Sequence, residues 1–366
     1  MTFKTFGFAS LLALGTIATG CASDPTGPAG GGDDQGSDTG SNTGGGDDVP
    51  HSLDVAGKYK MTSTFDIASN VPGTAGTIVN DIIDATDEPD DPSKWVIEQL
   101  VNQLPNSGIG GQIKSLMQSF GTSAIAAYVN PLLLNWAPDF VTTMVALGND
   151  FGDITKHFGL NETFEIGAGG PDGTYGATRT EIGAHFVINN QTFDLAFADH
   201  NIQNVVVPNI NTSFEQSGKL TVATHKVPLP YGGILHMGLD AAIIPMLDAN
   251  ASNLNQLLAD KVDCATLGQE LSDWAYQQFG FTPGASVFST ACTAGLNAAA
   301  NAIYTKIDSL SGTALEFDID GTATARDTNG DYKTDVLQTG KWEGNLNYAS
   351  TPAALPPGAT FTGTRM

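Results

Sequence analysis

From Asp327 to Asp335 the chain reads Asp-Thr-Asn-Gly-Asp-Tyr-Lys-Thr-Asp. The side-chain oxygens of Asp327, Asn329, Asp331 and Asp335, with the backbone carbonyl of Lys333, have the spacing that a hard, oxygen-seeking cation such as Ca2+ requires. Asn-Gly and Asp also build tight turns without an ion, so the same residues read alternatively as a polar hairpin tip. A cation here would be structural, offsetting the repulsion of carboxylates crowded at one tip. The histidines at 51, 157, 185, 200, 225 and 236 show no metal-site spacing such as His-Glu-x-x-His. His185 and His236 read as packed or hydrogen-bonded strand residues. Asp199-His200 has the composition of an acid–base pair, but neighbours on a strand face opposite ways. A hydrolase would need residues such as Asp199, His200, Glu316 and Asp318 to converge, and their spacing does not ask for it. There is no Gly-x-Ser-x-Gly elbow, and the glycine-rich run at 168–176 lacks the Lys-Ser/Thr of a phosphate loop. No catalytic set or organic-cofactor site is expected.

The elements that would position these residues fall into strand and helix zones. Tyr59, Met61, Phe65 and Ile67 alternate with Lys58, Lys60, Thr62, Thr64 and Asp66, which predicts a half-buried strand. A helical zone follows. Asp91-Pro92-Ser93 caps a segment with Trp95, Ile97, Val101 and Leu104, and further helices are expected over 112–134 and 138–149. These segments carry few charges around their circumference, so they are either packed deep or cover an apolar cavity. Residues 180–188 and 191–197, joined by Asn189-Asn190, predict a hairpin. More strands are expected at 204–207, 213–222 and 231–237, as one antiparallel meander. Helices return at 251–261, 264–279 and 292–310, the last with an alanine-rich face. Residues 315–325 and 336–348 alternate cleanly and form the second hairpin, with Asp327–Asp335 at its tip. The last residues, with Pro356-Pro357, read as an edge or loose tail. The fold class is therefore α+β, a large, curved antiparallel sheet packed with helical segments and ending in a C-terminal hairpin.

The first twenty residues have a basic start, Lys4, and an apolar stretch with Leu11, Leu12, Leu14 and Ile17. That three-part form is a secretory signal, too short to span a bilayer. Ala18-Thr19-Gly20-Cys21 resembles the bacterial lipobox, with Ala18 where Leu is usual. The resemblance implies that Cys21 receives a diacylglycerol, becomes the first mature residue and partners the membrane. Ala22-Ser23 after it is similar to outer-membrane rather than inner-membrane lipoproteins. Residues 21–50 are rich in Gly, Asp and Ser and read as a disordered acidic tether, about 25 residues of which reach roughly 25–30 Å. Such tethers resemble those of surface lipoproteins, so the expected location is the outer membrane at the cell surface, with the periplasmic face as the alternative. Residues 51–366 then form a single large domain, or a helical zone over 77–160 coupled to a sheet zone over 178–350. With Cys21 acylated, the simplest use of the remaining cysteines is a Cys264–Cys292 disulfide stapling two helices, against two separate buried thiols.

The formal charge is -24, from 39 acidic and 15 basic residues. That balance repels phosphate backbones and excludes a nucleic-acid partner. The Asp327–Asp335 stretch resembles the first nine positions of the calcium loops of EF-hand and dockerin proteins. It departs from them at Tyr332, where glycine is wanted, and at Gln338, where a bidentate Glu belongs. The layout of residues 55–350 is similar to tubular lipid-binding proteins, which implies an apolar or lipid-like ligand held between sheet and helices. The competing expectation is a calcium-stabilised surface adhesion or scaffold module without a pocket. A secreted hydrolase is the third.

Overall fold

A computed structural model describes residues 53–67, 70–87, 138–170, 172–280 and 284–366, with isolated positions between 102 and 131. Cys21, the tether and most of the helical stretch expected between 91 and 134 lie outside the described residues.

Among the described residues, ten strands carry the fold. They are β1 (Gly57–Phe65), β2 (Phe158–Ile166), β3 (Thr174–Ile188), β4 (Gln191–Ala196), β5 (Val205–Phe214), β6 (Lys219–Leu229), β7 (Leu315–Arg326), β8 (Val336–Tyr348), β9 (Thr351–Ala354) and β10 (Thr360–Arg365). They form one sheet in the order β10-β1-β2-β3-β5-β6-β7-β8-β9, and β10 also pairs with β8. That extra pairing closes the eight strands β10, β1, β2, β3, β5, β6, β7 and β8 into an antiparallel barrel. β4 folds back on β3, and β9 lies on the far part of the β8 edge.

The expected curved sheet is thus a closed one, and closure leaves fewer edges exposed to stray pairing. The sequence rhythm of residues 55–67 against the terminal hairpin suggests that first and last strands meet. The structure inserts β10, from the supposed tail, between them. Thr360–Arg365 alternates Thr with Phe361 and Gly363, and buries only those two.

Helix α1 (Gly73–Asp87) and α2 (Pro138–Lys156) join β1 to β2. α3 (Tyr231–Gly238), a π-turn (Leu239–Ile243), α4 (Ile244–Leu247), α5 (Leu254–Lys261), α6 (Cys264–Phe279) and α7 (Ala285–Ser309) join β6 to β7. Both helical excursions leave and re-enter at the same barrel end, because Phe65 pairs with Phe158 and Leu229 with Leu315. There Phe65, Phe158, Phe186, Phe317 and Tyr231 pack in tilted and edge-on pairs at centroid distances of 4.7–6.5 Å. The buried apolar residues of helices and strands belong to one contiguous core. The Cys264–Cys292 disulfide joins α6 to α7.

The strand expected at 231–237 is α3 instead. Tyr-Gly-Gly-Ile-Leu-His-Met-Gly is a short apolar run, and such runs do not distinguish a strand from a buried helix. The strand expected at 213–222 straddles the β5–β6 turn, where Gly218 takes a positive φ.

Candidate functional site

Two features of the barrel wall meet at Trp342. The first is an opening on the β8 edge. Val336–Lys341 pairs with β10, and Asn345–Tyr348 pairs with β9. Between these, residues 342–344 face the Leu355-Pro356-Pro357-Gly358-Ala359 segment. Proline has no N–H to continue a ladder, so the chain arches away and the edge is held only at its margins. Trp342 N donates to the Ala359 carbonyl at 3.0 Å, and Leu355 N to the Gly344 carbonyl at 2.9 Å. The arch leaves a cavity of about 410 Å3 lined by Trp342, Leu355, Pro356, Pro357 and Ala359, with Lys341 and Glu343 at its rim. The volume falls within the range of small-molecule sites, and the lining is apolar as theirs is.

Trp342 is almost completely buried. Its ring lies flat over Gly321, its register partner on β7, where a Cβ would come within 2.5 Å of the indole. Phe361 stacks on it at 4.3 Å, across from Gly340, where a Cβ would meet the phenyl ring at 2.6 Å. Two glycines therefore make the space in which these aromatics seat.

The second feature lies behind the indole, inside the barrel. The Arg179 guanidinium sits 4.6 Å from the Trp342 ring centroid, a cation–π contact. Arg179 Nε is 2.7 Å from Glu181 Oε1 and also contacts Glu162 Oε2, and all three side chains are fully buried. These are ion-pair contacts without hydrogen-bond alignment, and Arg179 Nη2 and Glu181 Oε2 have no hydrogen-bond partner. The Trp342 Nε1–H donates to Ser63 Oγ at 2.9 Å, and Ser63 Oγ donates in turn to Glu162 Oε1. A continuous polar chain thus runs from the pocket's indole to the carboxyl pair.

His225 completes the cluster. Its Nδ1 lies 2.9 Å from the Ala223 carbonyl, which can only accept, so Nδ1 carries the proton. Nε2 then accepts from Arg179 Nη1 at 3.3 Å, which makes the ring neutral. Burial first, and the guanidinium second, push its pKa down to about 4. One cation faces two carboxyl groups, with no further buried cation beside them among the described residues. Isolating a net charge in the interior is costly. Burial pushes Glu181 up to about 8, against the attraction of Arg179 and with the nearby Glu162 adding to the rise. At neutral pH Glu181 is therefore protonated, which relieves the excess of carboxyl groups over cations in the cluster.

A second, more polar cavity of about 340 Å3 lies between the turn after β4 and α3, lined by Asp199, His200, Ile202, His236, Met237 and Asp240. His236, on a helix rather than a strand, has Nδ1 3.0 Å from Asp308 and Nε2 3.3 Å from Asp240. Its ring stacks on Tyr304, whose hydroxyl donates to Asp240 at 2.5 Å. Both nitrogens facing carboxylates keep the imidazolium charged and raise its pKa to about 9. Asp199 and His200 line the same cavity, whereas Glu316 pairs with Lys226 on another part of the molecule. His185 bonds Asp194 at 2.9 Å.

The tip residues Asp327, Asn329, Asp331, Lys333 and Asp335 lie together in the β7–β8 loop, at the barrel end opposite the helices. Asp327 accepts from the N–H groups of Asn329, Gly330 and Tyr332. Asp335 accepts from Thr328 N and Oγ1, both at 2.7 Å. Asn329 and Asp331 accept from Asp331 N and Lys333 N. The oxygen donors thus close the turn through its own backbone. Among the described residues no group of three or more His, Cys, Asp or Glu is arranged to hold a metal ion.

Comparison with known proteins adds no name to this geometry: no family model, curated protein or solved structure matches the chain. What the fold defines is a closed antiparallel barrel packed against helices, an architecture compatible with ligand binding. The wall pocket and the charge cluster were not read from sequence, although Arg179 and Glu181, two apart in a strand, share a face.

Proposed function

We propose that this protein is a lipid-anchored, extracytoplasmic binding module that takes a small apolar ligand in the pocket at the β8 edge. The observation that carries the reading is that pocket, a mainly apolar recess of about 410 Å3 with Trp342, Leu355, Pro356, Pro357 and Ala359 in its lining. The barrel interior is occupied by side chains, with Phe65, Phe158, Phe186 and Phe317 buried at the helix-side end and Glu162, Arg179, Glu181 and Trp342 buried further along. Eight strands enclose just enough room for side chains. A ligand is therefore taken through the wall rather than along the axis, and a single chain or ring system suits the volume better than a whole two-chain lipid. The anchor rests on Ala18-Thr19-Gly20-Cys21 and the acidic tether, which support a position at an envelope surface, where apolar compounds partition.

The test is titration of the full-length protein with the neutral fluorophore N-phenyl-1-naphthylamine, together with extraction and mass analysis of whatever copurifies. Saturable binding that Ala359→Leu weakens tenfold or more, by filling the pocket, supports the reading. Equal binding by both proteins, or none, rules the pocket out. Metabolic labelling with palmitate, lost in Cys21→Ser, tests the anchor. A second reading, a surface module stiffened by calcium, rests on the spacing of Asp327, Asn329, Asp331, Lys333 and Asp335 along the β7–β8 loop. Under that reading, millimolar calcium protects the 327–335 loop from proteolysis and a chelator reverses the protection.

A further inference from the structure

The inference concerns regulation of the wall pocket and rests on its reading as a ligand site. Trp342 belongs to both the pocket lining and the barrel interior. On its inner side it touches Arg179 and donates to Ser63, which reaches Glu162. We propose that ligand occupancy of the wall pocket is coupled to protonation of the Glu162–Glu181 carboxyl pair, so that binding takes up a proton and weakens as the pair loses it.

The direction follows from solvation. An apolar occupant displaces water from the gap between residues 341–344 and 355–360 and leaves the cluster beyond the wall less screened. A net charge costs more in such surroundings than a neutral cluster does. Occupancy therefore favours the protonated pair, and by linkage the protonated pair favours occupancy. Glu181 is the group that changes charge in the useful range, since burial holds its pKa near 8.

The groups facing it come from several strands. They are Glu162 on β2, Arg179 on β3 and His225 on β6, with uncharged Ser63 on β1 and Trp342 on β8. Asp318 of β7 acts on His225 from further off. His225 stays neutral throughout this range, so it does not mimic the effect. His236 titrates near 9, but in the separate cavity at α3.

The experiment measures affinity for N-phenyl-1-naphthylamine, which has no titrating group in this range, from pH 6.5 to 9.5 in the full-length protein and in Glu181→Gln. The amide copies the neutral acid, and Glu181 does not line the pocket. The expected result is about tenfold weaker binding at pH 9.5 than at 6.5 in the natural protein, and a flat profile in the variant. Calorimetry of the natural protein at pH 8, in two buffers of different ionisation heat, should show proton uptake on binding. This second measurement does not depend on the variant folding. A flat profile with no proton uptake overturns the coupling and leaves the pocket reading intact. An equal slope in both proteins overturns it as well, by assigning the proton to another group. Absence of binding at every pH removes the pocket reading, and the coupling with it.

Discussion

Replacing Glu181 by glutamine should change how stability depends on pH. The folded protein holds the Glu181 carboxyl at about 8, against 4.5 for an unperturbed glutamate. Between those values the native state binds more protons than the unfolded state, so stability falls as pH rises, by at most about 1.4 kcal/mol per unit. The contribution is complete below 4.5 and gone above 8. Over the whole interval the loss is on the order of 5 kcal/mol as an upper bound.

His225 runs the opposite way. Its pKa is depressed from 6.5 to about 4, so the native state binds fewer protons there and stability rises with pH up to 6.5. The two effects largely cancel between 4.5 and 6.5. The clean window is 6.5 to 8, where Glu181 alone should cost about 2 kcal/mol. His236, raised to about 9, also lowers stability from 6.5 upward, but it is about one-third exposed and partly screened. It is common to both proteins and drops out of the difference.

Urea unfolding at half-unit steps from pH 5.5 to 9.5 reads this directly. The stability of Glu181→Gln relative to the natural protein should rise by about 2 kcal/mol between pH 6.5 and 9. Parallel curves across the window would refute the assignment of the buried proton to this cluster.

Two other outcomes follow from the same packing. Gly321→Ala drives a methyl group against the Trp342 ring from 2.5 Å; it should cost about 1–3 kcal/mol and shift tryptophan emission, whereas alanine at the exposed Gly312, which meets nothing within 4 Å, should leave emission unchanged. Replacing Cys264 and Cys292 together by serine opens a link across 28 residues, with an expected loss of about 3 kcal/mol, measured by thermal unfolding; an unchanged midpoint would show that α6 and α7 hold together without it.

The parts legible in sequence are those where local pattern and tertiary environment agree. β7 and β8 alternate without interruption over most of their length, and the Asn189-Asn190 turn, with both residues at positive φ, marks the β3–β4 hairpin. The helices around Cys264 and Cys292 declared themselves by period and by pairing. The buried cluster did not, for a specific reason. Asn161 pairs with Gly183 while Glu162 pairs with Glu181, so Ile182 is an extra residue on β3. Such a bulge reverses the face of everything beyond it. Ala184, Phe186 and Ile188 point inward, and extending their alternation backward would put Ile182 inside and Glu181 outside. The bulge does the reverse, and it brings Arg179 and Glu181 into the core. The wall pocket was hidden by a different cause. Pro356-Pro357 reads as the end of ordered pairing, yet β10 resumes after it and closes the ring.

That closing strand also sets the order in which the molecule can be completed. Tyr59 and Arg365, 306 residues apart, come together where β1 meets β10. Bringing such distant segments together costs roughly 3 kcal/mol more chain entropy than closing a ten-residue hairpin. None of it is repaid until Thr360–Thr364 has paired with both neighbours. β2 through β8 can assemble from nearer partners, but the ring stays open until the strand synthesised after them arrives. A chain exported through a membrane as an unfolded polymer would thus remain threadable until β10 is across, and would close its ring only on the far side.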